Sequence, residues 1–286
     1  MTIDYDTLAN WQFPEKVQTY TWKDTSLYAL GVGFGADTTS RDELKFIYEP
    51  WLHALPTMAA VLAGPGFWIR DPATGIDWAN SLHGEEEIVL HRPLPATGTV
   101  VGRMHVESLI DKGAGKGSLL TTCNDLYDAG TDEHIASVYA TAFNRNDGGF
   151  GGPGGSRPPV HPTPERGADH VVDLPTLPQA ALLYRLNGDD NPLHADPDVA
   201  AGAGFTMPIL HGLCTFGVAG HALLKTVCGY DPASVRSMRV RFSAPVYPGE
   251  TIRTEIWDEG AGRFAFRCGV LERRIPVLTG GLLQLR

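Results

Sequence analysis

The residues best suited to chemistry in this sequence are an acid and a histidine five positions apart, Asp189 and His194. Gly188 precedes the acid and permits an unusual backbone angle, whereas Pro192 stiffens the segment between the two. Asx-type residues at 189–191 favour a tight turn before a short helix. An acid and an imidazole held across such a turn can converge on one water molecule, which predicts an acid–base pair.

A second element with chemical potential is the start of an apolar helix predicted over Gly212–Val227. Backbone N–H groups at a helix start lack intrahelical partners and carry partial positive charge. Because Gly212 has no side chain, a ligand oxygen could approach its N–H closely. This predicts an oxyanion site. His211, directly before it, is interpreted as a structural residue that caps or hydrogen-bonds a loop.

These two elements lie in the second of two halves of similar size. The clearest break in composition is 147–178, which is rich in glycine and proline and therefore unsuited to a helix or a central strand. We predict a first domain at 1–147, a linker at 148–178 and a second domain at 179–286. A linker of this length bridges two domains or lines a site.

The halves follow the same order of elements, which suggests a diverged repeat. An apolar stretch with helical character, Trp51–Leu62 or Gly212–Val227, is followed by strand-like runs rich in Val, Thr, Ile and Phe. The predicted strands are Glu87–Gly98, Val100–Leu109, Ser118–Tyr127, Ile135–Phe143, Met238–Gly249, Thr251–Trp257, Arg263–Glu272 and Pro276–Leu285. Each half thus contains one helix followed by an antiparallel meander. This order predicts an α+β fold with a sheet wrapped on a helix.

Composition restricts the classes of function. The chain has 286 residues, of which 43% are hydrophobic, so disorder as the main state is excluded. Its formal net charge of −10 disfavours a general nucleic-acid or anionic-membrane surface. We see no signal peptide at the start, no membrane span and no Ser-Lys-Leu type address at the end. Four scattered cysteines favour reduced thiols and a cytoplasmic location.

Two strings carry a family resemblance. Residues 188–194 read Gly-Asp-Asp-Asn-Pro-Leu-His, and residues 208–217 read Pro-Ile-Leu-His-Gly-Leu-Cys-Thr-Phe-Gly. Together with Leu82–Glu85, Asp111–Gly113 and Pro245–Gly249, they resemble the MaoC-like R-specific enoyl-CoA hydratases. This family, hydratase 2, includes the hydratase part of peroxisomal multifunctional enzyme type 2. The resemblance covers nearly the whole chain.

The resemblance implies a double hot-dog fold and reversible hydration of trans-2-enoyl-CoA to (3R)-3-hydroxyacyl-CoA, a lyase reaction of fatty acid metabolism and β-oxidation. It implies that Asp189 and His194 are the catalytic pair and that Gly212 supplies the oxyanion N–H. It also implies substrate contacts at His83, Gly84, Lys112, Asp190, Asn191, Pro192, Leu193 and Phe242. The substrate is an acyl-CoA thioester, no metal or redox cofactor is required, and a homodimer is expected.

The first half lacks an equivalent of the catalytic string, so we expect it to accommodate the acyl chain. Small residues there could leave room for a bulky chain: Gly31, Gly33, Gly35, Ala59, Ala60 and Ala63. Ala244 stands where related sequences often carry lysine, so phosphate contacts would fall to Lys112, Lys116 or Arg241. The acidic run 85–87 is interpreted as mainly solvated charge, and the glycine-rich run 148–155 as a flexible linker.

Other functions remain open at this point. A hot-dog acyl-CoA thioesterase would need a water aimed at the carbonyl carbon instead of C3. A non-catalytic acyl-CoA binding protein would bind without turnover, which the intact Asp189–His194 pair disfavours. A dehydratase acting on an acidic carrier protein is disfavoured by the net charge. A metal cluster of His194, Asp196 and His211 lacks a recognisable ligand spacing.

Overall fold

The computed structural model describes residues 2–155 and 159–286. The helices in these ranges are α1 Tyr5–Ala9, α2 Trp22–Gly31, α3 Arg41–Leu44, α4 Ala180–Tyr184, α5 Pro197–Gly202 and α6 Gly212–Thr226. Short 3₁₀ turns lie at Glu49–Trp51, Pro56–Val61, Trp68–Arg70, Pro72–Thr74, Trp78–Asn80, Arg185–Asn187, Pro192–His194 and Pro232–Ser234. Only α2 and α6 are long enough to form a substantial packing surface.

The described strands form one antiparallel sheet. They are β1 Lys16–Tyr20, β2 Ser81–Leu90, β3 Gly98–Asp111, β4 Ser118–Asp128, β5 His134–Asn144, β6 His170–Pro175, β7 Val235–Phe242, β8 Thr251–Gly260, β9 Arg263–Val270 and β10 Ile275–Leu285. Their order across the sheet is β1-β3-β4-β5-β2-β7-β10-β9-β8-β6. The second five strands therefore repeat the order of the first five in mirror sequence about the β2–β7 pair. This internal symmetry agrees with the predicted repeat.

The sheet wraps around α6. Every residue of this helix from Cys214 to Leu224 is buried, as expected for a helix enclosed on all sides. The packing is tight where glycines face neighbours: a Cβ at Gly217 would lie 2.5 Å from Val32, and one at Gly220 would lie 2.7 Å from Thr57. The predicted α+β fold, a sheet wrapped on a helix in a double hot-dog arrangement, is confirmed.

The prediction of a helix over Trp51–Leu62 is wrong. This stretch contains the end of one 3₁₀ turn and the separate turn Pro56–Val61, with extended backbone at Leu52 and Leu55. Pro50 is the second residue of one 3₁₀ turn and Pro56 the first residue of the next, because proline fits the first positions of a helical turn but cannot continue one. Thr57 in the second turn packs against α6, so the second half supplies the one long central helix.

The segment 148–178 contains more structure than predicted. Its residues His170–Pro175 form β6, an edge strand that pairs with β8. The glycine-rich run is organised around the Asp111 carboxylate, which accepts hydrogen bonds from the N–H groups of Gly149 (2.7 Å) and Gly151 (2.9 Å). These bonds hold the pKa of Asp111 below its usual value. The part of the predicted linker at 156–158 lies outside the described residues.

Two further boundaries differ from the predictions. The strand predicted at Glu87–Gly98 runs from Ser81 to Leu90, and the one predicted at Met238–Gly249 runs from Val235 to Phe242.

The cysteines Cys123, Cys214, Cys228 and Cys268 are all free and buried. No helix of the described ranges is long and apolar enough to cross a membrane.

The close approach of α2 and α6 generates a stability prediction. Gly217→Ala should lower the free energy of unfolding by about 1–3 kcal/mol, because the new methyl group overlaps the fully buried Val32. Gly202→Ala is the matched control, since a Cβ at this exposed position in α5 meets nothing within 4 Å. In this control, the free energy of unfolding should rise by about 0.4–1 kcal/mol. Urea unfolding measures both, and a Gly217→Ala chain at least as stable as the control would contradict the packing described.

Candidate active site

The loop between α4 and α5 holds the predicted acid–base pair in a fixed shape. The turn Arg185–Asn187 ends at Gly188, whose φ of +109° lies where glycine is favoured. The Asn191 side-chain oxygen accepts a hydrogen bond from the Leu193 N–H at 3.1 Å, and the Asn191 backbone N–H donates to Asp189 Oδ1 at 3.2 Å. Local Asx hydrogen bonds therefore orient the carboxylate before any ligand arrives.

His194 is buried and its tautomer is set by one backbone contact. Its Nδ1 lies 2.8 Å from the carbonyl oxygen of Ile209. Because a carbonyl only accepts, Nδ1 donates, and Nε2 of the neutral ring is left with its lone pair. Burial lowers the pKa of His194, although the Ile209 hydrogen bond and the Asp189 charge act in the opposite direction. The ring is thus kept as a neutral acceptor.

The structure brings three polar side chains together at this point. An oxygen of the Asp189 carboxylate and one ring nitrogen each of His194 and His211 lie within 4.8 Å of one another. That spacing is suitable for holding one water molecule between the carboxylate and the imidazoles. The same three donors are also within reach of a single metal ion. Asp196, which the alternative metal cluster would use, instead caps α5 by accepting from the Asp198 N–H at 2.9 Å.

His211, interpreted from the sequence as a structural residue that caps or hydrogen-bonds a loop, contacts the loop that carries Asp189 and also lies against His194. Its ring stacks on His194 with centroids 3.8 Å apart, and its Nε2 donates to the Asp189 carbonyl oxygen at 3.3 Å. Its Nδ1 is buried without a hydrogen-bond partner among the described residues. Burial and the neighbouring His194 lower its pKa to about 4. His211 therefore contacts both members of the pair as a neutral ring.

The helix start at Gly212 forms the adjacent wall. Gly212 is the first residue of α6, so its N–H points out of the helix end rather than into it. A Cβ there would lie 3.2 Å from the Phe242 ring. The absence of a side chain thus leaves room for both Phe242 and a ligand oxygen, and the partial positive charge of the helix start favours an oxygen that gains negative charge.

The first half contributes the beginning of β2. His83 lies edge-on to Phe242 with ring centroids 4.8 Å apart, and its Nε2 is 2.9 Å from Glu86 Oε2. Desolvation lowers the pKa of His83, but the hydrogen bond and charge of Glu86 outweigh it and raise the pKa overall. Gly84 is buried at a bulge between β2 and β5. Two walls of the site therefore come from different halves of the chain.

The interpretation of the acidic run 85–87 as mainly solvated charge is wrong for Glu86, which is buried. Its side chain is only 2% exposed, and burial raises its pKa despite the His83 contact. Glu85 pairs with Arg241 at 2.7 Å across the β2–β7 junction. A signal was present in the sequence, because Glu86, Ile88 and Leu90 alternate with the period of a strand that buries one face.

Of the remaining predicted substrate contacts, three lie on the loop that carries His194, and Lys112 lies beside Phe143 of β5. Pro192 and Leu193 belong to the 3₁₀ turn that carries His194, and both are half-buried. Asp190 is exposed on the same loop. Lys112 is half-buried after β3, with its Nζ 4.8 Å from the centre of the Phe143 ring. Phe143 pairs with Leu82 in the sheet, one residue before His83, so Lys112 lies on the first-half side.

Comparison with known proteins gives a consistent picture. Two family models match, "MFE-2 hydratase 2 N-terminal domain" over residues 18–146 and "MaoC like domain" over residues 159–277. The chain is 38% identical to Enoyl-CoA hydratase 2, peroxisomal, of Arabidopsis thaliana, covering 96% of this chain and 93% of the relative. It is 41% identical to 3-hydroxyacyl-thioester dehydratase Y of Mycobacterium tuberculosis, covering 88% and 86%.

A solved structure agrees in shape as well. The crystal structure of a MaoC-like dehydratase from Phytophthora capsici superposes with a TM-score of 0.87 at 36% identity, covering 99% of both chains. The similarity therefore extends over both halves and not over residues 188–194 alone.

The buried neutral ring of His211 predicts a dependence of stability on pH. Its folded pKa of about 4 lies below the ordinary value of 6.5, so the folded state binds fewer protons. The stability that the folded state has with a neutral His211 ring is fully present above pH 6.5, and it is lost as the pH falls toward 4. Between pH 7 and 4, His211→Gln should lose less stability than the wild type, by about 1–3 kcal/mol. Urea unfolding at several pH values measures this, and parallel curves would contradict it.

Proposed function

This chain belongs to the MaoC-like hydratase 2 family, and on that premise we propose that it hydrates trans-2-enoyl-CoA reversibly to (3R)-3-hydroxyacyl-CoA. The reaction makes it a lyase that acts on an acyl-CoA thioester. One observation carries the proposal: the Asp189 carboxylate and the His194 imidazole lie within 4.8 Å of each other, beside the helix start at Gly212.

Activation of the substrate is assigned to Gly212. The thioester carbonyl accepts a hydrogen bond from its N–H, which stabilises the enolate-like charge that forms on this oxygen when water attacks C3. The partial positive charge of the helix start attracts this oxygen, and the absence of a side chain on Gly212 lets the oxygen approach the N–H. This proposed route needs no metal or redox cofactor, because a backbone dipole polarises the carbonyl.

Activation of the water is assigned to the acid–base pair. The Asp189 carboxylate and Nε2 of His194 both present lone pairs, because Nδ1 of the ring is committed to the Ile209 carbonyl. The pair holds one water, takes a proton as the oxygen bonds to C3, and returns a proton to C2 on the same face. The C2–C3 double bond becomes single, and all atoms of the water are retained in the product.

Binding of the rest of the substrate is assigned to residues from both halves of the chain. We propose that residues 179–286 carry the chemistry and that residues 1–147 hold the acyl chain, with 148–178 joining them. Support comes from His83 and Phe242, which approach from different halves and meet at the site. The proposed substrate contacts are His83, Gly84, Lys112, Asp190, Asn191, Pro192, Leu193 and Phe242. Arg241, one of the basic residues considered for phosphate binding, is engaged with Glu85.

Assembly and location are part of the proposal. A homodimer is predicted from the family, and light scattering of the purified chain tests it. A cytoplasmic location is supported by four free, buried cysteines, which are typical of a reducing compartment. The Arabidopsis relative is named as peroxisomal, so imaging of a tagged chain decides between the two compartments.

The activity is tested by removing one acceptor. Asp189→Asn should lower kcat by about 10²–10⁴-fold, because the amide cannot accept a proton at neutral pH. Asp198→Asn, an exposed carboxyl in the neighbouring helix α5, is the matched control and should keep full activity. The measurement is hydration of short- and medium-chain trans-2-enoyl-CoA with chiral analysis of the product, alongside urea unfolding of each variant.

The other functions give different results in the same assay. Release of free CoA from a saturated acyl-CoA would identify a thioesterase. Tight binding of enoyl-CoA without turnover, on a panel that includes bulky chains, would identify a binding protein. An active Asp189→Asn enzyme would contradict the assigned mechanism even if (3R)-hydroxyacyl-CoA forms.

The neutral state of His194 predicts the pH profile. Since burial lowers its pKa below 6.5, the ring keeps its acceptor lone pair at mildly acidic pH. The acid limb of kcat/KM should therefore fall below pH 6.5, with activity lost as the pH decreases further and the ring is protonated. Initial rates across the pH range measure this, and an acid limb centred above pH 6.5 would contradict it.

A further inference from the structure

A second cluster of metal-binding side chains lies on the sheet face that points away from the core. In β4, Leu126 is buried in the core and Asn124 donates to the Leu62 carbonyl oxygen, so both point inward. Side chains alternate along a strand, and Cys123 and Asp125 therefore point outward. This face is separate from the acid–base site, which lies at the start of α6.

Three donors on this face converge. Cys123 and Asp125 are two residues apart on β4, and His105 on β3 lies directly opposite Cys123. The Cys123 sulfur, a carboxylate oxygen of Asp125 and one ring nitrogen of His105 all lie within 4.8 Å of one another. Two ligands at alternate positions of one strand and a third on its neighbour form a rigid, one-sided set of ligands.

Neighbouring groups hold two of these donors in place. Glu107 Oε2 lies 3.2 Å from Nε2 of His105, which leaves Nδ1 of that ring for a ligand. The Ser137 hydroxyl donates to Asp125 Oδ1 at 2.6 Å, and His134 Nε2 lies 3.2 Å from the same oxygen. Carboxylate–histidine contacts and hydrogen-bonded carboxylate ligands are the supporting contacts found around protein-bound zinc.

We propose that His105, Cys123 and Asp125 bind a divalent transition-metal ion of the zinc type. A thiolate, an imidazole and a carboxylate are zinc ligands, and three protein ligands leave a fourth position for water or His134. Binding breaks the Cys123 S–H bond, forms a metal–sulfur bond and releases one proton to solvent. The sulfur lies at the closed base of the cluster, because Cys123 is 1% exposed. His105, 51% exposed, forms its open side.

The contacts of the cysteines differ. The Cys123 thiol donates to Asp125 Oδ1 at 3.6 Å, within the cluster itself. The Cys214 thiol donates to the Gly31 carbonyl oxygen, and Cys268 contacts the Thr254 hydroxyl. Among the described residues, the groups of three donors close enough to share an ion are this cluster and the Asp189–His194–His211 group. Only the first of these includes a sulfur, so a metal–thiolate signal distinguishes the two.

The test uses Co²⁺ as a spectroscopic probe for zinc on the purified full chain. The wild type should bind one Co²⁺ with a sulfur-to-cobalt charge-transfer band, and Zn²⁺ should abolish that band by displacement. His105→Ala should weaken binding by at least about tenfold, and this variant tests the site without disturbing the core because His105 is half-exposed. Cys123→Ala should remove the band completely.

Controls make each outcome decisive. Cys228→Ala removes a different buried thiol and should keep the full band. Urea unfolding of each variant verifies that it is folded. The proposal is overturned if the wild type shows no charge-transfer band, if the band survives Cys123→Ala, or if His105→Ala binds Co²⁺ as tightly as the wild type. Hydratase activity is a separate readout, since none of these residues contacts the acid–base site.

Discussion

The pairing of β2 with β7 is the constraint on which the rest of the structure depends. It joins two five-stranded halves in one sheet and sets Glu85 opposite Arg241. The register places His83 in the first half next to Phe242 in the second, and Phe242 in turn limits the space above Gly212. A slip of one residue would turn every side chain of β2 to the other face. The site would then lose its first-half wall.

Burial and backbone hydrogen bonds together determine the charge state of the site. His194 and His211 each donate one ring N–H to a carbonyl oxygen, and both rings are removed from water. Burial lowers the pKa values of both rings although these hydrogen bonds act in the opposite direction, so both rings are neutral acceptors rather than cations. His83 has the opposite balance, because the buried Glu86 carboxyl is its partner. The site thus contains neutral imidazoles on the second-half side and, on the first-half side, the His83 ring, whose pKa is raised.

Much of this could be predicted from the sequence where the signal was local. The helix α6 and six meander strands follow from apolar runs bounded by glycine and proline, and the turn at 188–194 follows from its glycine, Asx and proline residues. The predictions failed where contacts between residues distant in sequence determine the local structure. The stretch 51–62 is apolar enough for a helix, but it packs as 3₁₀ turns against α6. The stacking of His211 on His194 joins segments that are separate in sequence. The catalytic roles themselves stay predictions.

The mirror-ordered sheet has a consequence for how the chain is made. The first half contributes five strands but no long central helix; its strands β2 and β5 pack on the 3₁₀ turn Pro56–Val61, which in turn contacts α6. Glu85 and Arg241 are 156 residues apart in sequence, so β2 leaves the ribosome with an open hydrogen-bonding edge. During synthesis this half exposes that edge and the side of the Pro56–Val61 turn that later contacts α6. An open strand edge is a template for pairing with other chains, so this half is exposed to aggregation until β7 pairs with β2.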